Sequence, residues 1–449
     1  MSTRTQTQTE TIILQTKAPV EPTSEQPTIL QEPEVEDPPQ PKWLYPKIIS
    51  AGLSFFMAGV NDGSLGSLIP YVIRSYSLDT NMISVLYGVT FFGWLIAALS
   101  NSIICQNLDL GLILLLGAAL QILAHVLRTW LPPFPLYAVT FLLASLGQAY
   151  NDTHANTFVT SVRKAHRWLG FIHAMYMAGC LVGPFVATAV ASANEDSKWN
   201  LFYTFPLGIG VVNMVIVRVS FHDRMKLSPK RKRKTPTIAG AEAESESEST
   251  GRAAWKEIKT ILSMRSVWLL SLFFFFFLGA AITAGGWIVE YLVQVRNGDL
   301  KDMGYVPAGL SGGGFLGRLL LAEPTHRLGE RRMIFIYAVL CVGLQLVFWL
   351  VPNIITEAVA VSLMGFFSGP FFATGISVGS KLFPPEMVSP AIAFVFVLGQ
   401  IGGSIFPAIT GVIAARVGVK VLQPMLVGLF SATAVSWLLL PKDIELHRD

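Results

Sequence analysis

Charge is what this sequence has least of. Asp, Glu, Lys and Arg make up 14% of its 449 residues, where soluble domains carry about 25%. With 52% hydrophobic residues and a mean hydropathy of +0.52, the chain has too little polar surface for a water-soluble body, which implies an all-α polytopic membrane protein. Cysteine is nearly absent. Cys105, Cys180 and Cys341 lie in or at the end of apolar segments with no metal-like spacing, so they read as small buried hydrophobes rather than disulfides or metal ligands. The sequence carries no ATP-binding loop, metal cluster or nucleophile constellation, which argues against an enzyme and gives no cofactor or metal to expect. The net charge of +4 gives no reason to expect nucleic acid as a partner, because the basic residues fall near the ends of apolar runs.

What the chain does have is apolar runs. Residues 1–41, rich in Thr, Gln, Pro and Glu and without a basic segment leading into an apolar one, read as a disordered cytosolic tail rather than a cleaved signal. Lys42, Trp43, Tyr45 and Lys47 then suggest an interfacial anchor at the first span. Twelve spans follow, roughly at 47–73, 82–104, 110–131, 134–162, 168–193, 200–222, 266–295, 303–322, 332–352, 354–381, 387–415 and 420–440. A polar segment between the sixth and seventh carries Lys230-Arg-Lys-Arg-Lys234 and then Glu242-Ala-Glu-Ser-Glu-Ser-Glu-Ser249. It divides the chain into a six-helix bundle at 42–222, a cytosolic loop at 223–264, a second six-helix bundle at 265–441 and a tail at 442–449. The basic run reads as a positive flank beside a span rather than a nuclear signal. The Ser-Glu run fits a phosphorylation site or a solvated linker equally well.

Basic residues also set the orientation. With the N-terminus inside, the cytoplasmic side receives Arg163, Lys164, Arg167, the central loop, Arg327, Arg331, Arg332, Lys381, Lys442 and Arg448. The outside keeps Arg74, Arg128, Lys198, Arg296, Lys301, Arg416 and Lys420. The bias puts both termini and the central loop in the cytosol, with the plasma membrane as the expected residence.

One stretch breaks the hydropathy pattern. Residues Gly147 to Thr160 are mostly polar, yet neither the apolar run Phe134 to Leu146 nor the short one after it could cross a hydrocarbon core of ~30 Å alone. The segment from Phe134 to Val162 therefore reads as one helix, with Gln148, Asp152, Asn156 and Thr160 forming a polar stripe at i, i+4 spacing. Such a stripe cannot face lipid, where a carboxylate costs at least ~3 kcal/mol, so it must face a water-filled cavity or other helices. The sequon Asn151-Asp-Thr153 lies at membrane depth on the same helix and is discounted as a glycosylation site.

An internal repeat supports the two halves. Gly179 and Gly183 of the fifth span recur 220 residues later as Gly399 and Gly403; the same offset carries Gly93 onto Gly313 and Leu108 onto Leu328. Two similar six-helix halves around a cavity resemble the plan of the major facilitator superfamily. Gly314-Phe-Leu-Gly317-Arg318, followed by His326-Arg327-Leu-Gly-Glu-Arg331-Arg332, resembles that superfamily's signature cytoplasmic loop. The resemblance implies a gate in which these arginines latch one conformation, whereas plain positive-inside charge is the simpler reading. Gly170, Gly179, Gly183 and Pro184 resemble part of a drug/proton antiporter motif.

A closer resemblance lies in the polar stretch. Asp152-Thr-His-Ala-Asn156-Thr-Phe-Val is similar to the fourth-helix motif Glu-Thr-Ala-Ala-Asn-Pro-Phe-Val of the fucose permease-like proton symporters. Asn61-Asp62, then Pro70-Tyr71, resemble that family's first helix, and His173 falls near a polar position of its fifth. Gly285-Gly-Trp287 resembles the start of the seventh helix, but Ala281 stands where many relatives carry a glutamate. The resemblance implies Asp152 and Asp62 as proton-coupling residues. It also implies Asn156 and Asn61 as substrate contacts; Gln148 and Tyr71 add hydrogen-bonding groups by their own chemistry, His173 fits a contact or a satisfied core histidine equally well, and Trp287 and Tyr176 are aromatics for the cavity wall or for packing.

The residues themselves allow this chemistry. A carboxylate in a desolvated site can take a proton near neutral pH and give it up when the cavity opens to the other side, while the amides and hydroxyls suit a polar solute. The structural alternative is that both carboxylates are polar glue between helices. The expectation is a monomeric secondary transporter that moves a small, possibly sugar-like solute together with protons. The alternatives are a proton-driven efflux pump for drug-like compounds and a transport-dead sensor that signals through the central loop.

Overall fold

The polar stretch is helical throughout: Phe134–Thr160 is a single unbroken helix, as the length argument requires. A computed structural model describes residues 42–163, 165–193, 196–227, 259–384 and 387–441. The expected tails at 1–41 and 442–449 and the two charged runs of the central loop lie outside the described residues.

The first half contains α1 (Leu44–Tyr76), α2 (Thr80–Asn107), α3 (Leu110–Thr129), α4 (Phe134–Thr160), α5 (Ala165–Ser192) and α6 (Thr204–Ser220). The second contains α7 (Arg265–Arg296), α8 (Val306–Leu320), α9 (Glu330–Leu350), α10 (Ile354–Ser368), α11 (Phe371–Leu382), α12 (Val388–Val417) and α13 (Leu422–Leu438). The tenth span is thus two helices, not one run. Pro370 lacks an N–H and so cannot donate to the preceding turn; the hydrogen-bond ladder is interrupted there although Gly369 keeps a helical backbone, and the helix restarts at Phe371. Among the described residues, nine helical segments are long and apolar enough to cross a membrane; α1, α4 and α8 are not among them. The first two are long, but Asn61-Asp62 and the Gln148 to Asn156 stripe interrupt their apolar runs. At 15 residues, α8 rises only about 22 Å, and the short turns Leu300–Met303 and Ala322–Leu328 extend it at either end.

The 220-residue repeat is built into the packing. Gly179 and Gly183 of α5 lie against the backbone of α1, where a Cβ on Gly179 would fall 2.1 Å from the Phe56 carbonyl oxygen. Their counterparts Gly399 and Gly403 of α12 lie against α7, at Phe274, Leu278 and Ile282. Likewise Gly93 seats α2 on α4 at Ser145, and Gly313 seats α8 on α10 at Ser362. The same helix pairs meet in both halves through small residues, which let helices approach closely where no hydrophobic effect drives them together.

Lys47 departs from expectation. Instead of anchoring at the interface it is 2% exposed, and its Nζ lies 2.7 Å from Asp223 Oδ2, just past the end of α6.

Candidate functional site

The two halves meet most tightly at the end carrying Tyr76 and Arg296. There Ser67 Oγ donates to the Gly304 carbonyl at 2.7 Å, and Thr80 Oγ1 to the Gly411 carbonyl at 3.0 Å. Gly66 and Gly285 bring α1 and α7 so close that a Cβ on Gly66 would lie 1.9 Å from the Gly285 oxygen. Gly286 is capped by the Tyr87 hydroxyl. At the other end, Lys47 pairs with Asp223 within the first half and Lys381 with Glu330 within the second. The halves are therefore sealed together at the end carrying Tyr76 and Arg296, so the accessible Asp62 at mid-depth is reached through a cleft from the opposite end, the one holding Leu44 and Leu438.

Midway along α1, Asp62 lies deep among protein atoms yet stays accessible, the mark of a residue lining a cavity. Three neutral groups donate to it: Gln148 Nε2 at 2.8 Å and Tyr176 Oη at 3.1 Å to Oδ2, and Asn61 Nδ2 at 3.1 Å to Oδ1. The four residues come from α1, α4 and α5. Behind them, Arg128 Nη1 donates to Asn61 Oδ1 at 3.0 Å and Nε to Thr140 Oγ1 at 2.7 Å. The guanidinium lies 4.0 Å over the ring of Phe141. Asp152, one turn beyond Gln148, is within electrostatic reach of Asp62, and its Oδ1 is buried without a hydrogen-bond partner.

The packing of α4 explains why this face is polar. Gly147 and Asn151 fit against Gly117 of α3, Tyr150 and His154 meet Ser100 and Asn101 of α2, and Phe158 meets Phe221. What remains for α1 and the cleft is the face with Gln148, Asp152 and the half-exposed Asn156. Asn151, the sequon residue, is 1% exposed, so no glycan could sit there.

Other expected residues fall elsewhere. His173 packs edge-on to Phe55 at 5.3 Å and reaches Phe372 of the second half at 5.7 Å. Tyr71 is buried in the core cluster, in reach of Asp299 and Tyr305 near the sealed end. Trp287 is fully buried, its indole N–H donating to the Pro407 carbonyl at 3.0 Å, so its ring is not brought to the cleft. Gly317 is a packing residue under Phe366 of α10. Arg327 pairs with Glu323 one turn away, Arg331 donates to the Leu440 and Pro441 carbonyls at the end of α13, and Arg332 is exposed. Arg318 alone of this group turns into the cleft, over the ring of Phe372 at 5.9 Å.

Two residues were missed by the sequence reasoning. Arg128, assigned to the outer surface by its place at a span end, is 1% exposed and braces Asn61; an aromatic nest on the neighbouring helices is invisible to hydropathy. Glu290 in α7 is 4% exposed and accepts from Gln294. It supplies a buried carboxylate to the seventh helix despite Ala281, and a lone glutamate in so apolar a run was the available signal.

A helical membrane protein of two repeated halves around a cleft closed at one end is built as a carrier: one central site, exposed to one side at a time. The chain matches the Major Facilitator Superfamily over residues 51–407, and it belongs to that family. Bypass of stop codon protein 6 of Saccharomyces cerevisiae is 27% identical over 422 residues, covering 90% of this chain and 84% of that protein. Among solved structures, the D-xylose-proton symporter has a TM-score of 0.69 at 10% identity, covering 89% of this chain and 98% of its own. The E. coli fucose:proton symporter has 0.60 at 16%, covering 90% and 100%. The chain is thus a multi-pass integral membrane protein with the fold of transporters.

Proposed function

We propose that the protein is a monomeric proton-coupled symporter for a small polar organic solute, with Asp152 and Asp62 carrying the proton and Gln148, Asn61, Asn156 and His173 facing the solute. The halves are taken as 42–222 and 265–441, the termini as cytosolic and the plasma membrane as its residence. With that orientation, the described conformation faces the cytosol. The observation that carries the reading is the Asp62 cluster. A carboxylate that is deep, accessible and held by three neutral donors has no ion-pair partner among the described residues, and a second carboxylate with an unpartnered oxygen stands within electrostatic reach of it. Like charges in one low-dielectric site resist being ionised together, which favours a bound proton. When the cleft opens to the opposite side, that proton can leave to water.

The efflux alternative rests on the partial antiporter motif, whose Gly179 and Gly183 are accounted for by close packing on α1, and on an apolar, aromatic seventh span. Phe273 and Phe277 are buried in the core cluster, which removes much of the reason to line a drug pocket with them.

The test is uptake into proteoliposomes driven by a pH gradient that is acid outside. Asp152→Asn should lose gradient-driven accumulation while eluting from size exclusion like the wild type. Normal accumulation by that variant would end the coupling assignment.

A further inference from the structure

Arg318 is a cation with no hydrogen-bond or ion-pair partner at its Nε among the described residues, set where α8 of the second half faces α5 of the first. Its Nε is sealed from water with no hydrogen bond, and no ion pair reaches the side chain among the described residues. Its neighbours are the ring of Phe372 on its own half, and His173, Tyr176 and Cys180 of α5 on the other. The register of the two helices explains why. They run antiparallel, with Leu181 nearest the position of a Cβ on Gly312 and Met177 nearest that on Gly314. One turn further toward the open end brings Arg318 opposite His173. The glycines of α8 allow the close approach that carries the guanidinium to α5.

An unpaired guanidinium at this depth is costly, and buried charges are ordinarily matched by a counter-ion. The first half does not supply one. Asp62 is already held by Gln148, Asn61 and Tyr176, and no ion pair joins either carboxylate to Arg318 among the described residues. The cleft thus has acids on one wall and an unmatched planar cation, rich in donors, on the other. Guanidinium is suited to bidentate contact with a carboxylate or phosphate.

From this we infer that the solute is an organic anion whose carboxylate or phosphate seats on Arg318, while its hydroxyl or amide groups meet Gln148 and Asn156 across the cleft. The inference rests on the transport reading and narrows its solute from any small polar organic molecule to an anionic one.

Full-length protein in detergent, at constant ionic strength, is titrated with glucose, glucuronate, glucose 6-phosphate, lactate and succinate, and its thermal midpoint is followed, since a ligand of the folded state must raise it. At least one anion should stabilise the wild type where glucose does not. Arg318→Gln should weaken that anion by about tenfold or more, the loss expected of a charge-assisted contact, while Arg318→Lys retains part of it. Glucuronate without glucose 6-phosphate indicates a carboxylate; the reverse indicates a phosphate. Stabilisation by glucose alone, by no anion, or equally in Arg318→Gln overturns the inference. Proteoliposome uptake separates the two claims: pH-driven accumulation of glucose that survives Arg318→Gln leaves the symport reading intact and removes the anion. Accumulation of an anion with no response to the pH gradient or to Asp152→Asn removes the symport reading and keeps the anion.

Discussion

Lys47 and Arg128 occupy positions where a span meets water, yet both are buried. Each is made tolerable by a partner that lies far away in sequence: Asp223 for Lys47, and Asn61, Thr140 and Phe141 for Arg128. At Asp223 partial burial acts to raise the carboxyl's pKa. The hydrogen bond and charge of Lys47 outweigh it, so the group is held below the ordinary carboxylate range. A depressed pKa in the folded state contributes stability that is present above the unfolded value, about 3.9, and is lost as pH falls through the folded value. Asp223→Asn should therefore lower the thermal midpoint at neutral pH, and the gap to wild type should close in acid. A gap that stays constant with pH would remove the ion pair as its source. Nothing in the local sequence of Lys47 or Arg128 announces these pairings, because hydropathy scores a residue alone.

At the scale of helices, the glycine pattern was legible and its purpose was not. The offset between Gly93 and Gly313 indicated a duplication, but only packing shows that each seats the second helix of its half on the fourth. The two contacts differ in what an added methyl would meet. At Gly313 it would fall 1.9 Å from the Ser362 backbone oxygen; at Gly93 it would fall 1.9 Å from the Ser145 hydroxyl, a side-chain atom that can rotate away, with the nearest backbone atom, the Leu142 oxygen, further off at 2.8 Å. Gly313→Ala should therefore destabilise by about 1–3 kcal/mol, the usual range for overpacking, and Gly93→Ala by less. Thermal midpoints of the two purified variants check the order. The break of the tenth span at Pro370 shows the reverse case: the proline was visible, but a continuous apolar run hid its effect.

For the molecule as a whole, one end is closed by backbone meeting backbone. Gly66 against Gly285 is a backbone approach with no room for a methyl, a Cβ there falling 1.9 Å from the Gly285 oxygen, so a side chain at this position would push the closed end apart. Gly66→Ala should disfavour the closed end and shift the population toward the opposite conformation. With spin labels at the exposed Ser77 and Lys301, the distance distribution should move to longer values. An unchanged distribution would mean that the contact does not set the balance.

Composition and periodicity determined that this chain lives in a membrane, that it is helical, that it is duplicated, and that α4 turns a polar face inward. These follow from the cost of exposing polar groups to lipid and from helical spacing, which act along the chain. Only the tertiary structure decided which polar groups meet. It joined Gln148, Asn61 and Tyr176 to Asp62, buried Trp287, hid Arg128 and turned Arg318 into the cleft, because those outcomes depend on the phase of one helix against another. The stretch from Gly147 to Thr160 could name Asp152 and Asn156 from its own residues. The carboxylate at the centre of the network, Asp62, owes its setting to side chains 86 and 114 residues away.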